Sequence, residues 1–465
     1  MAKRVRRKSA SAVPSPESSV GEGGDLGSVA TAPGGTTGRF LVLFKEGAGA
    51  KAVSSLSKAA GLSIASTADF KDGGANVEAL GKSEGLVFPD LGVAVVNTPP
   101  TEIHAFAATE ESNILAIEPE RIVYAIEDGP LVPAPPLALP QSGTGVSFDY
   151  LRGYRDAVNH LCDKLLGTAP DLVAEGVAPL VSETELTWGL QATKVPASRF
   201  TGKGIRVAVL DTGLDLGHPD LAGRRITSKS FVQREAAQDG HGHGTHCIGT
   251  SCGPRRPGTL PRYGIAFEAE IFAGKVLSNR GSGGDAGILA GIQWAIDNKC
   301  AIVSMSLGAP VQVGQTPSQV FEQAAVRALA AGTLIIAAAG NESQRPQIIR
   351  PVGHPANCPS IMAVAAIDRN FQIARFSCGG LNPQGGQVDI AGPGVDVRSS
   401  WPRPQLYNTI SGTSMATPHV AGIAALWAQS NASFRARALM SVLTQSARRL
   451  SLPARDVGEG LVQAP

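Results

Sequence analysis

A chain of 465 residues with 43% hydrophobic content can bury two or three separate cores, which excludes a single small binding module. Its 41 Lys and Arg nearly cancel its 39 Asp and Glu, and a net charge of +2 supplies no field that would gather nucleic acid or an anionic membrane. The basic start MAKRVRRK is followed by SASAVPSPESSVGEGG, where a secretory signal would carry an apolar stretch of roughly 7–15 residues. No cleavable signal is therefore expected, and the compartment stays unassigned.

Apolar runs such as 40–44 and 334–339 fall far below the roughly 18 residues of a membrane span, so no membrane span is expected. The six cysteines, Cys162, Cys247, Cys252, Cys300, Cys358 and Cys378, show neither framework spacing nor a CxxC pair. They are expected to be free buried thiols.

In chain order, residues 1–38 are rich in Ser, Gly, Pro and Ala and cannot repay the entropy of ordering, so they are expected to form a disordered tail. From Arg39 the pattern changes. FLVLF predicts a strand, Val53, Leu56 and Ala60 one helical face, and LGVAVVN (91–97) a second strand. A short helix carrying Ile103 and Phe106 follows Pro99 and Pro100, and ILAIEPERIVYAI (114–126) supplies the closing strand or strands. This order suits a small split βαβ, ferredoxin-like α+β domain over 39–127.

Residues 128–182 begin with a proline-rich linker, unsuited to helix or central strand. Leu151, Tyr154, Val158, Leu161 and Leu165 then share one helical face. From 183 to 465 strands and helices alternate. The continuous apolar runs IRVAVL, IFAGKVL, AIVSMSL, TLIIAAA and IMAVAAI suit strands covered on both faces. Between two of them, Thr316 and Pro317 predict a helix cap and first position, and Gly332 the helix end. A doubly wound, mostly parallel α/β sheet is expected, with its site at the carboxyl ends of the strands.

Three polar clusters lie where that rule places a site: Asp211-Thr-Gly after IRVAVL, His243 in DGHGHGTHCIGT, and Ser414 in SGTSMATPHVAG. Each alone is ordinary loop text. Together they supply a hydroxyl nucleophile, a base for its proton and a carboxylate to fix that base. Binding of zinc by His241, His243 and His246 would lack a fourth ligand or an HExxH helix. An aspartic protease would need a second Asp-Thr-Gly or Asp-Ser-Gly, and there is none.

The ordered motifs VAVLDTGLDLGHPDL, GHGTHCIGT, SMSLG, AAAGNE and SGTSMATPHVAG resemble the subtilisin-like serine proteases, with the proteinase K type nearest. The resemblance covers residues 183–465, and the order Asp, His, Ser is that of subtilisin. It implies a serine endopeptidase in which Asp211 orients, His243 acts as general base, Ser414 attacks and Asn341 donates to the oxyanion. It further implies that Gly281, Ser282 and Gly283 on one side, and Ser306, Leu307 and Gly308 on the other, pair with an extended protein or peptide substrate. Gly353 would floor a pocket for a large apolar side chain, with Glu342 near the rim tolerating lysine.

No cofactor is implied for the chemistry. Asp389 with the carbonyls of Pro359 and Ile361 matches a structural calcium site of the proteinase K type. The 39–127 domain resembles the inhibitory pro-domain of these proteases, although residues 128–182 separate its end from the WGL segment at Trp188 by more than the usual plan. Two readings stand beside hydrolysis: a latent or inactive binding protein, and a peptide ligase or cyclase using the same acyl-enzyme.

Overall fold

The computed structural model describes residues 35–45, 64–66, 85–99, 101, 113–126 and 182–465. The expected helices around Val53 and Ile103, the linker, the amphipathic helix from Leu151 to Leu165, Cys162 and most of the expected tail lie outside the described residues.

The large sheet is built from β6 (Arg206–Asp211), β7 (Ile226–Ser230), β8 (Glu270–Lys275), β10 (Ile302–Met305), β12 (Leu334–Ala338), β13 (Met362–Ile367) and β14 (Ile390–Pro393), in the order β14-β13-β12-β10-β6-β8-β7. Every pairing in it is parallel. Parallel strands need crossovers, and the helices that make them cover the faces, which is why the strand text is unbroken Val, Ile, Leu and Ala. The strand order reverses at β6, because β7 and β8 lie on one side of it and β10 on the other. That switch point opens a crevice at the carboxyl ends.

The helices that bear on the site are α1 (Trp188–Ala192), α2 (His243–Cys252), α3 (Asp285–Asp297), α4 (Gln319–Ala330) and α5 (Thr413–Ser430). α2 packs on α5, and α3 on α4. The predicted cap of α4 is corrected: Ser318, not Thr316, is the N-cap, its Oγ accepting from Phe321 N at 3.2 Å, with Pro317 just before it. Both are good capping residues, and the one whose hydroxyl reaches the first free amide takes the role.

A second, front sheet has the order β5-β1-β4-β3-β2, from β1 (Thr36–Phe44), β2 (Ile64–Ser66), β3 (Gly85–Phe88), β4 (Val93–Val96) and β5 (Ile114–Ala125). Its pairings are antiparallel except β2 with β3. β1 starts at Thr36, inside the stretch expected to be tail, because Thr36 pairs with Arg121 of β5.

Side chains alternate between the two faces of this sheet. Leu41, Leu43, Leu86, Phe88, Val93 and Val95 join the core of the large domain. Phe40, Val42, Phe44, Val87, Ala94 and Val96 form a small core of their own.

β5 is a single strand of 12 residues and is shared by two structures. Ile114 to Arg121 pair with β1, whereas Ile122 to Tyr124 pair with β9 (Ser282–Gly284), and Tyr124 and Ala125 with β11 (Leu307–Gly308). Two carboxylates fasten it. Glu118 Oε1 accepts from Gln319 N at 2.6 Å, and the fully buried Glu120 accepts through Oε1 from Ala286 N at 2.9 Å. Both amides are orphan donors at helix starts, where a carboxylate also meets the positive end of the dipole. Arg39 and Thr37 complete the shell of Glu120.

Candidate active site

Asp211 is the last residue of β6, and His243 opens α2. His243 Nδ1 lies 2.8 Å from Asp211 Oδ1, which also accepts from Thr212 N at 2.7 Å. A carboxylate accepts only, so in the neutral ring Nδ1 carries the proton and Nε2 keeps its lone pair. Nε2 is buried and has no hydrogen-bond partner among the described residues.

Burial on its own would lower the pKa of His243, yet the Asp211 carboxylate holds it well above the ordinary value. Cys247 Sγ stands 3.9 Å from Nδ1. Burial pushes that thiol up to about 11, so it is neutral at pH 7 and Asp211 supplies the field.

A buried acid missed in the sequence sets the start of α2. Asp239 accepts through Oδ1 from the amides of His241 and Gly242, at 2.9 and 2.8 Å. Its Oδ2 accepts from the amide and hydroxyl of Thr245, at 2.9 and 2.7 Å. It thereby fixes the first turn carrying His243. An Asp shortly before a predicted helix was the available signal. His246 is buried on α2, with Nε2 2.9 Å from Val397 O. Among the described residues, Asp211, His243 and Cys247 are the one His/Cys/Asp/Glu group whose ligand atoms converge, so His241 and His246 do not join a metal cluster with His243.

Ser414 is the second residue of α5 and is fully buried. Its hydroxyl donates to Ser306 O at 3.1 Å. Four residues on, Pro418 has no N–H to offer the Ser414 carbonyl. Ser306 Oγ donates to that oxygen instead at 2.9 Å, joining the two segments.

Asn341 follows β12 after Gly340. Its Oδ1 accepts from Thr413 N at 3.0 Å and Thr413 Oγ1 at 2.8 Å, which turns Nδ2 toward the groove. There Nδ2 donates to the carbonyl oxygen of Ile126 at 3.3 Å.

The two expected edges flank this point. Ala125 N donates to Gly281 O at 2.8 Å, and Ile126 N to Ser306 O at 3.4 Å, while Ser282, Gly283, Leu307 and Gly308 stand in register with β5. Two glycines are required by close approach. A Cβ at Gly412 would stand 2.8 Å from Ile126 O, and one at Gly308 would stand 2.6 Å from His354 O and 3.0 Å from Ile126 Cδ1. Gly353 N donates to Ala339 O at 2.9 Å, beside Ala309. Glu342 accepts from the Cys378 thiol at 3.1 Å, and burial raises its pKa.

Asp389 sits away from these groups, just before β14. Its Oδ2 accepts from Ala363 N at 2.7 Å, and burial raises its pKa to about 6. Cys247, Cys252, Cys300, Cys358 and Cys378 are free and buried, as expected.

With this geometry, the sheet and the site define a hydrolase of the subtilisin-like α/β type. The family model described as the Subtilase family, Peptidase S8, matches residues 202–461, and the chain belongs to that family. It is 40% identical over 281 residues to Subtilisin Savinase of Lederbergia lenta, an alignment that covers 60% of this chain and 96% of that one. M-protease of Shouchella clausii (strain KSM-K16) is 40% identical over 281 residues, covering 60% and 68%. Subtilisin E of Bacillus subtilis (strain 168) is 40% identical over 244 residues, covering 51% and 60%. The chain is a serine-type endopeptidase. Among the described residues, no helix is long and apolar enough to cross a membrane.

Proposed function

We propose that the chain is made as an autoinhibited zymogen whose front domain, residues 39–127, fills the groove of a protease acting through an acyl-enzyme on Ser414. The observation that carries this reading is the Ile126 carbonyl oxygen, 3.3 Å from Asn341 Nδ2, at the end of a strand paired to both groove edges. Main-chain pairing of this kind accepts any extended polypeptide. A strand that reaches the oxyanion donor in register stands where a substrate would be cut, so the maturation bond is Ile126–Glu127.

The chemistry follows from the proton positions. Rotation of the Ser414 side chain away from Ser306 O brings its hydroxyl to His243 Nε2, which takes the proton as Oγ bonds to the carbonyl carbon. The oxygen that becomes negative is held by Asn341 Nδ2 and by the Ser414 amide at the start of α5. Collapse breaks the C–N bond, and the imidazolium returns the proton to the leaving amine. Water, activated in the same way, releases the acid and restores Ser414. Asp211 keeps the imidazole in the required tautomer and stabilises its charged form.

Asp389 keeps one oxygen beyond its Ala363 hydrogen bond, and a structural calcium there would take that oxygen, the carbonyls of Pro359 and Ile361, and waters. Burial disfavours the bare carboxylate, which a cation would offset. Calcium there would add stability and take no part in the reaction.

Hydrolysis of an unfolded protein by the full chain, beside its Ser414→Ala variant, tests the assignment. Fragments are expected from the parent alone, and equal cleavage by the variant would overturn it. Product masses also separate hydrolysis from ligation.

A further inference from the structure

We infer that Asp285, held by His354, forms a subsite for a cationic side chain five residues before the acyl residue of the substrate. The inference rests on the endopeptidase reading of the same groove. With Ile126 as the acyl residue, the position in question is occupied by Arg121. Arg121 N donates to Asp285 Oδ2 at 3.0 Å, and its guanidinium lies 3.9 Å from that oxygen and 3.4 Å from Glu118 Oε2.

Asp285 is fully buried under the strand, and its other oxygen receives His354 Nε2 at 3.0 Å. The His354 ring is wedged edge-on against Phe321, with centroids 4.6 Å apart. The ring contact and the hydrogen bond together hold the imidazole against the carboxylate. A carboxylate as first residue of α3 is favoured by the helix dipole in any case. That alone does not explain why it is clamped from behind with one oxygen toward β5.

When the front strand leaves, Oδ2 loses its partners and faces the groove. Glu118 leaves with the strand, and Asp285, the large-domain carboxylate that Arg121 approaches among the described residues, remains to meet an incoming cation. An extended substrate offers its amide to Asp285 whatever its sequence, but only Arg or Lys also offers charge at that place.

The test uses the self-processed protein and peptides that share Ile in the acyl position and differ only in Arg, Ala or Glu five residues before it. The expected order of kcat/KM is Arg, Ala, Glu, with Arg over Glu by about tenfold at low salt, as for a partly buried charge pair. In about 1 M salt, where the Debye length is about 3 Å, the ratio shrinks severalfold. Asp285→Asn brings it close to one, and because the ratio is internal to each preparation, a reduced yield of folded variant leaves it readable.

Equal kcat/KM for the three peptides in the parent overturns the subsite while leaving the protease reading intact. A ratio that is undiminished by salt or retained in Asp285→Asn removes Asp285 as its source. Failure to cleave any of the peptides removes the protease reading and the subsite with it.

Discussion

The two sheets of this protein bury their apolar residues by opposite arrangements. The large parallel sheet is enclosed by its own helices, so Val207, Val209, Ile302, Ile336 and Val364 are buried by elements of the same domain. The front sheet borrows half its core. Leu41, Leu43, Leu86, Phe88, Val93 and Val95 belong to the core of the domain it sits on, and only the opposite face is self-contained. A sheet that exposes six large apolar side chains on separation is a poor independent fold. Under the proposed zymogen reading, a domain of this build would be held while attached and weakly stable once released.

The sharpest way to probe the large domain is through its charged pair. Asp211→Asn should lower kcat by about 10⁴-fold with the fold intact, because the imidazole loses its preferred tautomer. In the parent, His243 must be neutral to accept the Ser414 proton, and its pKa is raised well above 6.5 by Asp211. Self-cleavage should therefore increase with pH, with its midpoint above 6.5, and the midpoint should move down in Asp211→Asn. A parent profile that is flat from pH 6 to 9, or one centred below 6.5, would contradict the assigned field.

The borrowed core is tested by Phe88→Ala in the Ser414→Ala background, where the chain stays uncut. Truncating a buried Phe costs about 3–5 kcal/mol, and hydrogen exchange should show the loss in the front sheet while β6, β10 and β12 keep their protection. Uniform loosening of both sheets would break the comparison. Asn341→Ala should lower kcat by about 10²–10³-fold with KM little changed, since the bond from its amide, long at 3.3 Å to the neutral Ile126 carbonyl, strengthens as charge develops on the oxygen. A loss confined to KM would make Asn341 a binding residue instead.

The smallest effect is expected at Asp389. Calcium should raise Tm by a few degrees, about what 1 kcal/mol gives in a domain of this size, and Asp389→Ala should abolish the response. Unchanged calcium dependence in that variant would move the site elsewhere.

The large sheet was legible because parallel strands covered on both faces must be written as continuous apolar runs, and five such runs mark β6, β8, β10, β12 and β13. Its edges were not. β7 reads ITSKS and β14 reads IAGP, and sequences with so much polarity or Gly and Pro become strands only because a neighbour supplies the ladder.

The residues of the proposed triad stood out in the sequence by their order, whereas Asp239, Asp285 and His354 did not. Asp285 and His354 act through partners far along the chain, whereas Asp239 bonds mainly within its own turn, and each alone looks like an ordinary cap or loop residue. ERIVYAI was readable as the closing strand of the front domain. That its last carbonyl meets Asn341 was not, because the register is set by Glu118 and Glu120 gripping two helix starts of another domain.

The central claim is that β5 lies in the groove as a substrate of Ser414, and intact-mass analysis of the purified full chain beside Ser414→Ala tests it most directly. A new carboxyl terminus at Ile126 and a new amino terminus at Glu127 are expected in the parent, with the variant remaining whole. A variant that is cut at the same bond, or a parent first cut elsewhere with Ile126–Glu127 left intact, would contradict it.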